Sequence, residues 1–220
     1  NNYLDQMIAI AFKHEGTLDR IVGDAVAIMF SAPMVQADHQ ARAFNCAMEM
    51  NTFANAYATA LNAKGIQFGK TRIGIHSGEV IVGNFGGSTM FDYRALGDAV
   101  NTAARLESVN KHLGTHICLS EATLFGCPDA HLRPIARLVL KGKSQALQVF
   151  EPLTENYLTC YAPLDAYCAA YQRMVKETDL SSVNYFSELA LLYPHDPLVA
   201  LHQQRLSKGE RGDLIVMTEK

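Results

Sequence analysis

An asparagine and an arginine stand four residues apart in the segment G-D-A-V-N-T-A-A-R-L-E at positions 97–107. The segment predicts a helix, so Asn101 and Arg105 project from the same face. Asp98 is predicted to cap the first free N–H groups, and Gly114 to end the helix. An amide beside a guanidinium fork suits a phosphoryl group gaining negative charge, because the fork can donate two parallel hydrogen bonds to its oxygens. Taken alone, the pair also fits an ordinary solvated helix face.

Two further polar residues lie in predicted turns. Asp24 follows Gly23 between the predicted strands 17–22 and 25–30. Lys141 begins the turn K-G-K between the predicted strands 135–140 and 145–150. Without other information, each is typical of a solvated turn.

The 97–107 string resembles the signature helix of class III nucleotidyl cyclases. The resemblance covers about residues 1–152, and is strongest over 72–107, followed by 14–33 and 137–151. It implies an α+β, ferredoxin-like fold with a mainly antiparallel sheet. It also implies an enzyme of bacterial type that converts ATP to cyclic AMP and pyrophosphate in signal transduction.

The resemblance assigns a role to each of these residues. In the family, the helix Asn and Arg contact the ribose and α-phosphate region in the transition state, which makes Asn101 and Arg105 the expected catalytic residues. The Asp after the hairpin Gly binds metal, so Asp24 is the expected ligand of Mg²⁺ or Mn²⁺, two ions in the complete enzyme. The first Lys of a V-K-G-K string contacts the β,γ-phosphates, and Lys141 holds that position.

The positions that select the base depart from the family. Adenylyl cyclases commonly carry a Lys four residues before the turn Asp, and an Asp or Thr three residues before the signature Gly. This chain has Arg20 and Arg94 there. Arginine only donates hydrogen bonds, so neither residue can accept one from the adenine amine. We expect both to line the base site, with ATP favoured and GTP left open. A non-catalytic, regulatory homologue is the alternative.

The second metal Asp of the family, in a Phe-x-Asp pattern on an earlier strand, has no counterpart. Asp5, on a predicted helix, and Asp19, three residues into a predicted strand, do not substitute by position. We expect the missing strand to precede Asn1, so the chain alone should be nearly inactive. The resemblance further implies a homodimer, and we expect a sensor domain upstream. His76 is expected to be structural.

Composition excludes several function classes. The 220 residues are 49% hydrophobic with net charge −3 and no dense Lys/Arg run, which gives nucleic-acid binding no electrostatic support. No apolar run approaches the roughly 18 residues of a membrane span. Five scattered cysteines without a C-x-x-C spacing favour a reduced, cytoplasmic setting, which includes the cytosolic part of a membrane-anchored receptor.

The hydrophobic pattern predicts two domains, 1–152 and 153–220. In the first, helices and hairpins alternate, and 71–85 is predicted as one strand with bends at its glycines. In the second, helices are predicted near 164–176, 181–193 and 197–206. The end of the second helix and its turn resemble a tetratricopeptide-type repeat, and an ordinary helical hairpin is the alternative. A single repeat should dock on the main domain or on a partner.

Overall fold

The computed structural model describes residues 2–87, 89, 91–154, 160–176 and 181–217. The helices are α1 (Asn2–Lys13), α2 (His39–Asn62), α3 (Asp98–Leu113), α4 (Glu121–Leu124), α5 (Leu164–Lys176), α6 (Ser181–Leu192) and α7 (Pro197–Ser207). The strands are β1 (Thr17–Val22), β2 (Ala25–Met29), β3 (Ile73–Ile75), β4 (Ile81–Gly86), β5 (Phe91–Leu96), β6 (Ile117–Ser120), β7 (Leu132–Val139), β8 (Leu147–Pro152) and β9 (Leu214–Val216). None of these helices is long and apolar enough to cross a lipid bilayer.

The strands form three sheets. The largest has the order β3-β6-β8-β7-β9, in which β8 runs antiparallel to β6 and β7. The β3–β6 and β7–β9 pairs are parallel. The β1–β2 and β4–β5 pairs are antiparallel hairpins outside the large sheet. Helices mixed with mainly antiparallel strands confirm the predicted α+β class.

The helix α3 packs on the large sheet through the apolar side predicted for it. Leu106, Val109 and Leu113 are buried in one cluster with Ile135 and Leu138 of β7. Burying these side chains is the main force that fixes the helix on the sheet. The opposite side of α3, which carries the predicted catalytic residues, stays outside this core.

The prediction of one bent strand over 71–85 was wrong. The segment forms two strands in different sheets, β3 and β4. At Gly74 on β3, an added Cβ would lie 2.2 Å from the carbonyl oxygen of Ala103, so a larger residue would push α3 off the sheet. The glycine therefore permits close helix packing rather than a bend.

The C-terminal helices agree with the predicted ranges to within about one residue. They share the main core, since Tyr167, Phe186 and Leu198 are buried in the same cluster as Leu106 of α3. The predicted docking on the main domain is thus observed. The short β9, which sequence patterns did not indicate, extends the large sheet beside β7. Residues 155–159, 177–180 and 218–220 of the predicted extension lie outside the described residues, and the tetratricopeptide-like assignment stays a prediction.

A buried ion network joins this extension to the sheet. On β7, the Arg133 Nε donates to Glu151 Oε2 on β8 at 2.9 Å, and Nη1 donates to Asp196 Oδ2 at 2.7 Å. The Asp196 carboxylate also caps α7 by accepting hydrogen bonds from the N–H groups of Leu198 and Val199. All three charged side chains are at most 1% exposed. One guanidinium therefore pairs with a carboxylate from each part of the chain.

Candidate active site

The two predicted catalytic residues lie on the open side of α3. Asn101 is exposed and Arg105 is half-buried, while Thr102 and Leu106 on the other side are buried. Their spacing of four residues therefore places both on one face, as the sequence predicted. This geometry leaves the amide and the guanidinium free to meet a ligand.

Buried polar contacts hold α3 in register with the large sheet. The Asn110 side-chain amide donates to the carbonyl oxygen of Ile73 on β3 at 3.0 Å, and its oxygen accepts from the Thr115 hydroxyl at 2.6 Å. Asn110 is 1% exposed. Because both ends of its amide are satisfied, this residue fixes the helix along β3 without leaving a buried polar group unpaired. Gly114 ends the helix in the left-handed conformation (φ 74°), as predicted.

The predicted cap by Asp98 was wrong. Gly97 occupies the cap position, and Asp98 is the first residue of α3 with no side-chain capping bond. Its carboxylate instead forms an ion pair with the Lys143 ammonium. This contact bridges 45 residues of sequence, so no local pattern around position 98 indicates it. The hydrogen bond from Lys143 lowers the pKa of the Asp98 carboxyl.

The 141–143 turn lies along the same face of α3. A Cβ added at Gly142 would lie 3.8 Å from the Arg105 Nη2. Lys141 is exposed, and none of the described residues forms a hydrogen bond or ion pair with it. The structure thus brings the loop of Lys141 against the helix of Asn101 and Arg105.

His76 lies half-buried beside this turn and makes a structural contact. Its Nδ1 lies 2.8 Å from the Ser120 hydroxyl at the end of β6. Burial, with a smaller contribution from the Lys143 ammonium, lowers the pKa of His76. A neutral imidazole held by a core hydroxyl fits the expected structural role.

The two arginines of the predicted base site lie on neighbouring strands. On β1, Arg20 donates from Nε to Asp19 at 2.6 Å, and its Nη2 lies 3.4 Å from the carbonyl oxygen of Ala95 on β5. On β5, Arg94 donates to Asp92 at 2.6 Å. Each guanidinium therefore has its own carboxylate, which removes the repulsion expected between two bare arginines. The sequence patterns indicate no role for Asp92, and they exclude Asp19 as the second metal ligand without assigning it another role.

Asp24 is separate from these groups. It is exposed in the β1–β2 turn, and none of the described hydrogen bonds or ion pairs connects it to α3 or to the 141–143 turn. Its carboxylate suits one oxygen ligand of a hard cation. However, the described residues contain no group of three His, Cys, Asp or Glu side chains that could hold a metal ion.

The site face is open rather than enclosed. A cavity of about 220 Å³ lies elsewhere, lined by residues that include Phe44 and Asn45 of α2 and Cys127 after α4. None of the predicted site residues lines it. The predicted site residues therefore lie on an open face and outside this cavity.

Comparisons with known proteins agree with this architecture. The sequence model described as "Adenylate and Guanylate cyclase catalytic domain" matches residues 3–151. Adenylate cyclase 1 of Rhizobium meliloti (strain 1021) is 36% identical over 152 residues, which are 69% of this chain and 23% of that protein. The chain thus spans about a quarter of this relative's length.

Two solved structures are similar in fold. The adenylyl cyclase CyaB from P. aeruginosa superposes with a TM-score of 0.64 at 32% identity, covering 70% of this chain and 80% of that one. The guanylyl cyclase Cya2 superposes with a TM-score of 0.61 at 30% identity, covering 70% and 79%. Similar proteins therefore include cyclases named for either nucleotide.

Proposed function

Because the chain belongs to the adenylate and guanylate cyclase catalytic-domain family, we propose that it contributes the catalytic face of a cyclase that converts ATP to 3′,5′-cyclic AMP and pyrophosphate. The observation that carries this proposal is the meeting of Asn101, Arg105 and the 141–143 turn on one open face. A triphosphate needs several donors along its length, and this face offers an amide, a guanidinium and an ammonium.

Each side chain has a distinct part in the proposed reaction. The ribose 3′-oxygen attacks the α-phosphorus, and the bond from that phosphorus to the pyrophosphate oxygen breaks. Arg105 donates to the α-phosphate oxygens as their negative charge grows, and Asn101 orients the ribose. Lys141 binds the β,γ-phosphates and so stabilises the leaving pyrophosphate. Catalysis is then chiefly positioning and preorganised charge stabilisation.

We propose Asp24 as one ligand of a Mg²⁺ or Mn²⁺ site whose remaining ligands come from outside the described residues. Bound cations would neutralise phosphate charge and assist ionisation of the 3′-hydroxyl. The exposed turn position of Asp24 supports the proposal, since a carboxylate there is free of competing partners within the described chain.

We also propose that two copies form a symmetric dimer in which Asp24 of one subunit faces Asn101 and Arg105 of the other. A closed two-fold pair would create two such sites. Exposed apolar side chains on the β4–β5 hairpin support an interface there, because Ile81 is 72% and Phe91 62% exposed. A cytoplasmic location, with a sensor domain elsewhere in the protein, fits five scattered cysteines without a C-x-x-C spacing and a nucleotide substrate.

GTP is the second candidate substrate. Arg20 and Arg94 are both donors, and guanine presents the acceptor O6 where adenine presents an amine donor, while N7 accepts in both bases. Asp92 favours ATP instead, since its carboxylate is 57% exposed and supplies a hydrogen-bond acceptor of the kind that the adenine amine needs.

The test is product formation by the protein at its full encoded length. It is incubated with Mn²⁺ and ATP or GTP, and cyclic nucleotide and pyrophosphate are quantified together. We expect equal amounts of both products from ATP, and loss of both in Asp24→Ala and Arg105→Ala variants. Mixing these two inactive variants should restore about a quarter of the activity, because half of the dimers carry one intact site of two. Nucleotide binding without product would favour the regulatory alternative.

A further inference from the structure

The turn between β7 and β8 carries two lysines with different surroundings. Lys141 is exposed and has no polar partner among the described residues. Lys143, two residues later, is 23% exposed and forms an ion pair with Asp98. The resemblance to cyclases gives a role only to the first lysine, so the second, together with its partner, has no assigned function.

The Lys143–Asp98 pair connects the turn to the start of α3. Asp98, Asn101 and Arg105 follow one another at spacings of three and four residues, so they share one face of the helix. Along the helix axis, Arg105 lies about 10 Å beyond Asp98, at roughly 1.5 Å per residue. The turn contacts this face at both points, through Lys143 at Asp98 and through Gly142 near Arg105.

We infer that Lys143 and Asp98 are positioning residues, which hold the turn along α3. In this position, Lys141 can contact the same triphosphate as Asn101 and Arg105. This inference rests on the proposed cyclase function. Lys143 itself does not bind substrate, because its ammonium is already engaged by the carboxylate. The hydrogen bond from Lys143 lowers the pKa of the Asp98 carboxyl, which favours the ionised carboxylate that the ion pair needs.

The Lys143–Asp98 pair affects the position of the turn rather than the stability of the whole fold. Asp98 is 75% exposed, and exposed ion pairs add little to the stability of a fold. A reacting group displaced by about 1 Å can nevertheless slow a reaction by about 100-fold. Loss of the pair should therefore reduce kcat while the folded state persists.

A competing arrangement makes Lys143 a phosphate ligand that leaves Asp98 when substrate arrives. The two arrangements differ in the effect of Asp98→Asn. If Asp98 competes with substrate for Lys143, this variant binds ATP more tightly and its KM falls. If Asp98 holds the turn in place, kcat falls and KM changes little.

The experiment uses the protein at its full encoded length, with steady-state kinetics on ATP and Mn²⁺. Lys143→Ala, Asp98→Asn and their combination are compared with Lys143→Arg, which keeps the charge. Lys111→Ala, an exposed lysine in the last turn of α3, is the matched control. We expect Lys143→Ala and Asp98→Asn each to lower kcat by about 10- to 100-fold. The double variant should have about the same kcat as either single variant, and Lys143→Arg should retain most activity.

Hydrogen exchange provides a readout independent of catalysis. The amides of the first turn of α3 and of residues 140–144 should exchange faster in Lys143→Ala, while the melting temperature stays close to that of the wild type. Additive losses, a lower KM in Asp98→Asn or unchanged kinetics in both single variants would overturn the inference. A wild-type protein that makes no cyclic nucleotide would instead refute the proposed function, and unchanged exchange would then also refute the positioning role.

Discussion

Asp19 on β1 joins the first hairpin to β5, because its Oδ1 accepts a hydrogen bond of 2.7 Å from the backbone N–H of Ala95. Its Oδ2 accepts from Arg20 at 2.6 Å, and the side chain is only 4% exposed. The register of β1 against β2 shifts between Leu18 and Arg20, at this residue. The irregularity thus directs a carboxylate across to β5, where it holds Arg20 near the strand that carries Arg94.

This arrangement leads to a prediction about base selection. Arg20→Lys combined with Arg94→Thr introduces the residues that adenylyl cyclases commonly use, including an acceptor that arginine lacks. We expect the double variant to increase the preference for ATP over GTP by roughly 1–3 kcal/mol, the cost of leaving a polar group unpaired. The measurement is kcat/KM for both nucleotides.

Arg72→Lys is the control for base selection, since Arg72 forms a half-exposed ion pair with Glu107 away from the base site. It should leave the ratio of the two kcat/KM values unchanged. The wild type could instead already prefer ATP by several orders of magnitude, with a smaller preference in the double variant. The two arginines would then be the residues that select ATP. That result would contradict the expectation from the sequence that the two arginines leave GTP open as a substrate.

A second prediction concerns the open face of α3. Residues 1–220 should have little activity as a monomer, since none of the described hydrogen bonds or ion pairs connects Asp24 to the α3 face of Asn101 and Arg105. When this chain is mixed with a full-length subunit carrying Arg105→Ala, the two should form one composite site. That site combines Asn101 and Arg105 of this chain with the metal-binding residues of the other subunit, which include its Asp24. Cyclic AMP formation in this mixture is the readout.

Asn101→Ala or Arg105→Ala in the chain should then lower kcat of the mixture by about 10²–10³-fold, as removal of one preorganised stabilising group does. Lys111→Ala, in the last turn of the same helix, should have no effect. Strong activity of the chain by itself, without the partner, would show that the site does not need a second subunit.

Periodic patterns anticipated most elements, but contacts between distant residues did not follow from them. The face shared by Asn101 and Arg105 depends only on helical geometry, so the sequence could indicate it. Asp98 was expected to be a cap, whereas Lys143, brought near by the fold, binds its carboxylate. Likewise, the contact of Gly74 with Ala103 and the pairing of β9 with β7 arise from packing between distant segments.

The buried network around Arg133 predicts a large effect on stability. Arg133→Met leaves the carboxylates of Glu151 and Asp196 without their cation, and both are fully buried. We expect the free energy of unfolding to fall by on the order of 3–5 kcal/mol, as for other buried pairs that lose one partner. Urea denaturation monitored by circular dichroism provides the measurement.

Lys13→Met is the matched control, because Lys13 pairs with Glu49 on the surface, where the two side chains are 66% and 35% exposed. It should change stability little. Equal effects of the two substitutions would mean that the network does not link the C-terminal helices to the sheet energetically.

The last prediction concerns acid stability and rests on His202 of α7. Its ring is fully buried, with ring centroids 5.1 Å from Phe186 and 5.8 Å from Tyr171. Burial lowers the pKa of His202 from 6.5 to about 3. The unfolded chain therefore binds a proton below pH 6.5 that the folded chain rejects, so stability falls as the pH decreases toward 3, by up to about 1.4 kcal/mol per pH unit.

Glu151, whose pKa burial raises to about 7, acts in the opposite direction on acidification. Because His202→Leu leaves Glu151 in place, the difference between the two proteins isolates the histidine. Unfolding free energies measured from pH 7.5 to pH 4.5 in both should diverge below about pH 6.5, with the wild type losing more stability. Parallel curves would show that His202 is protonated as readily in the folded protein as in the unfolded chain.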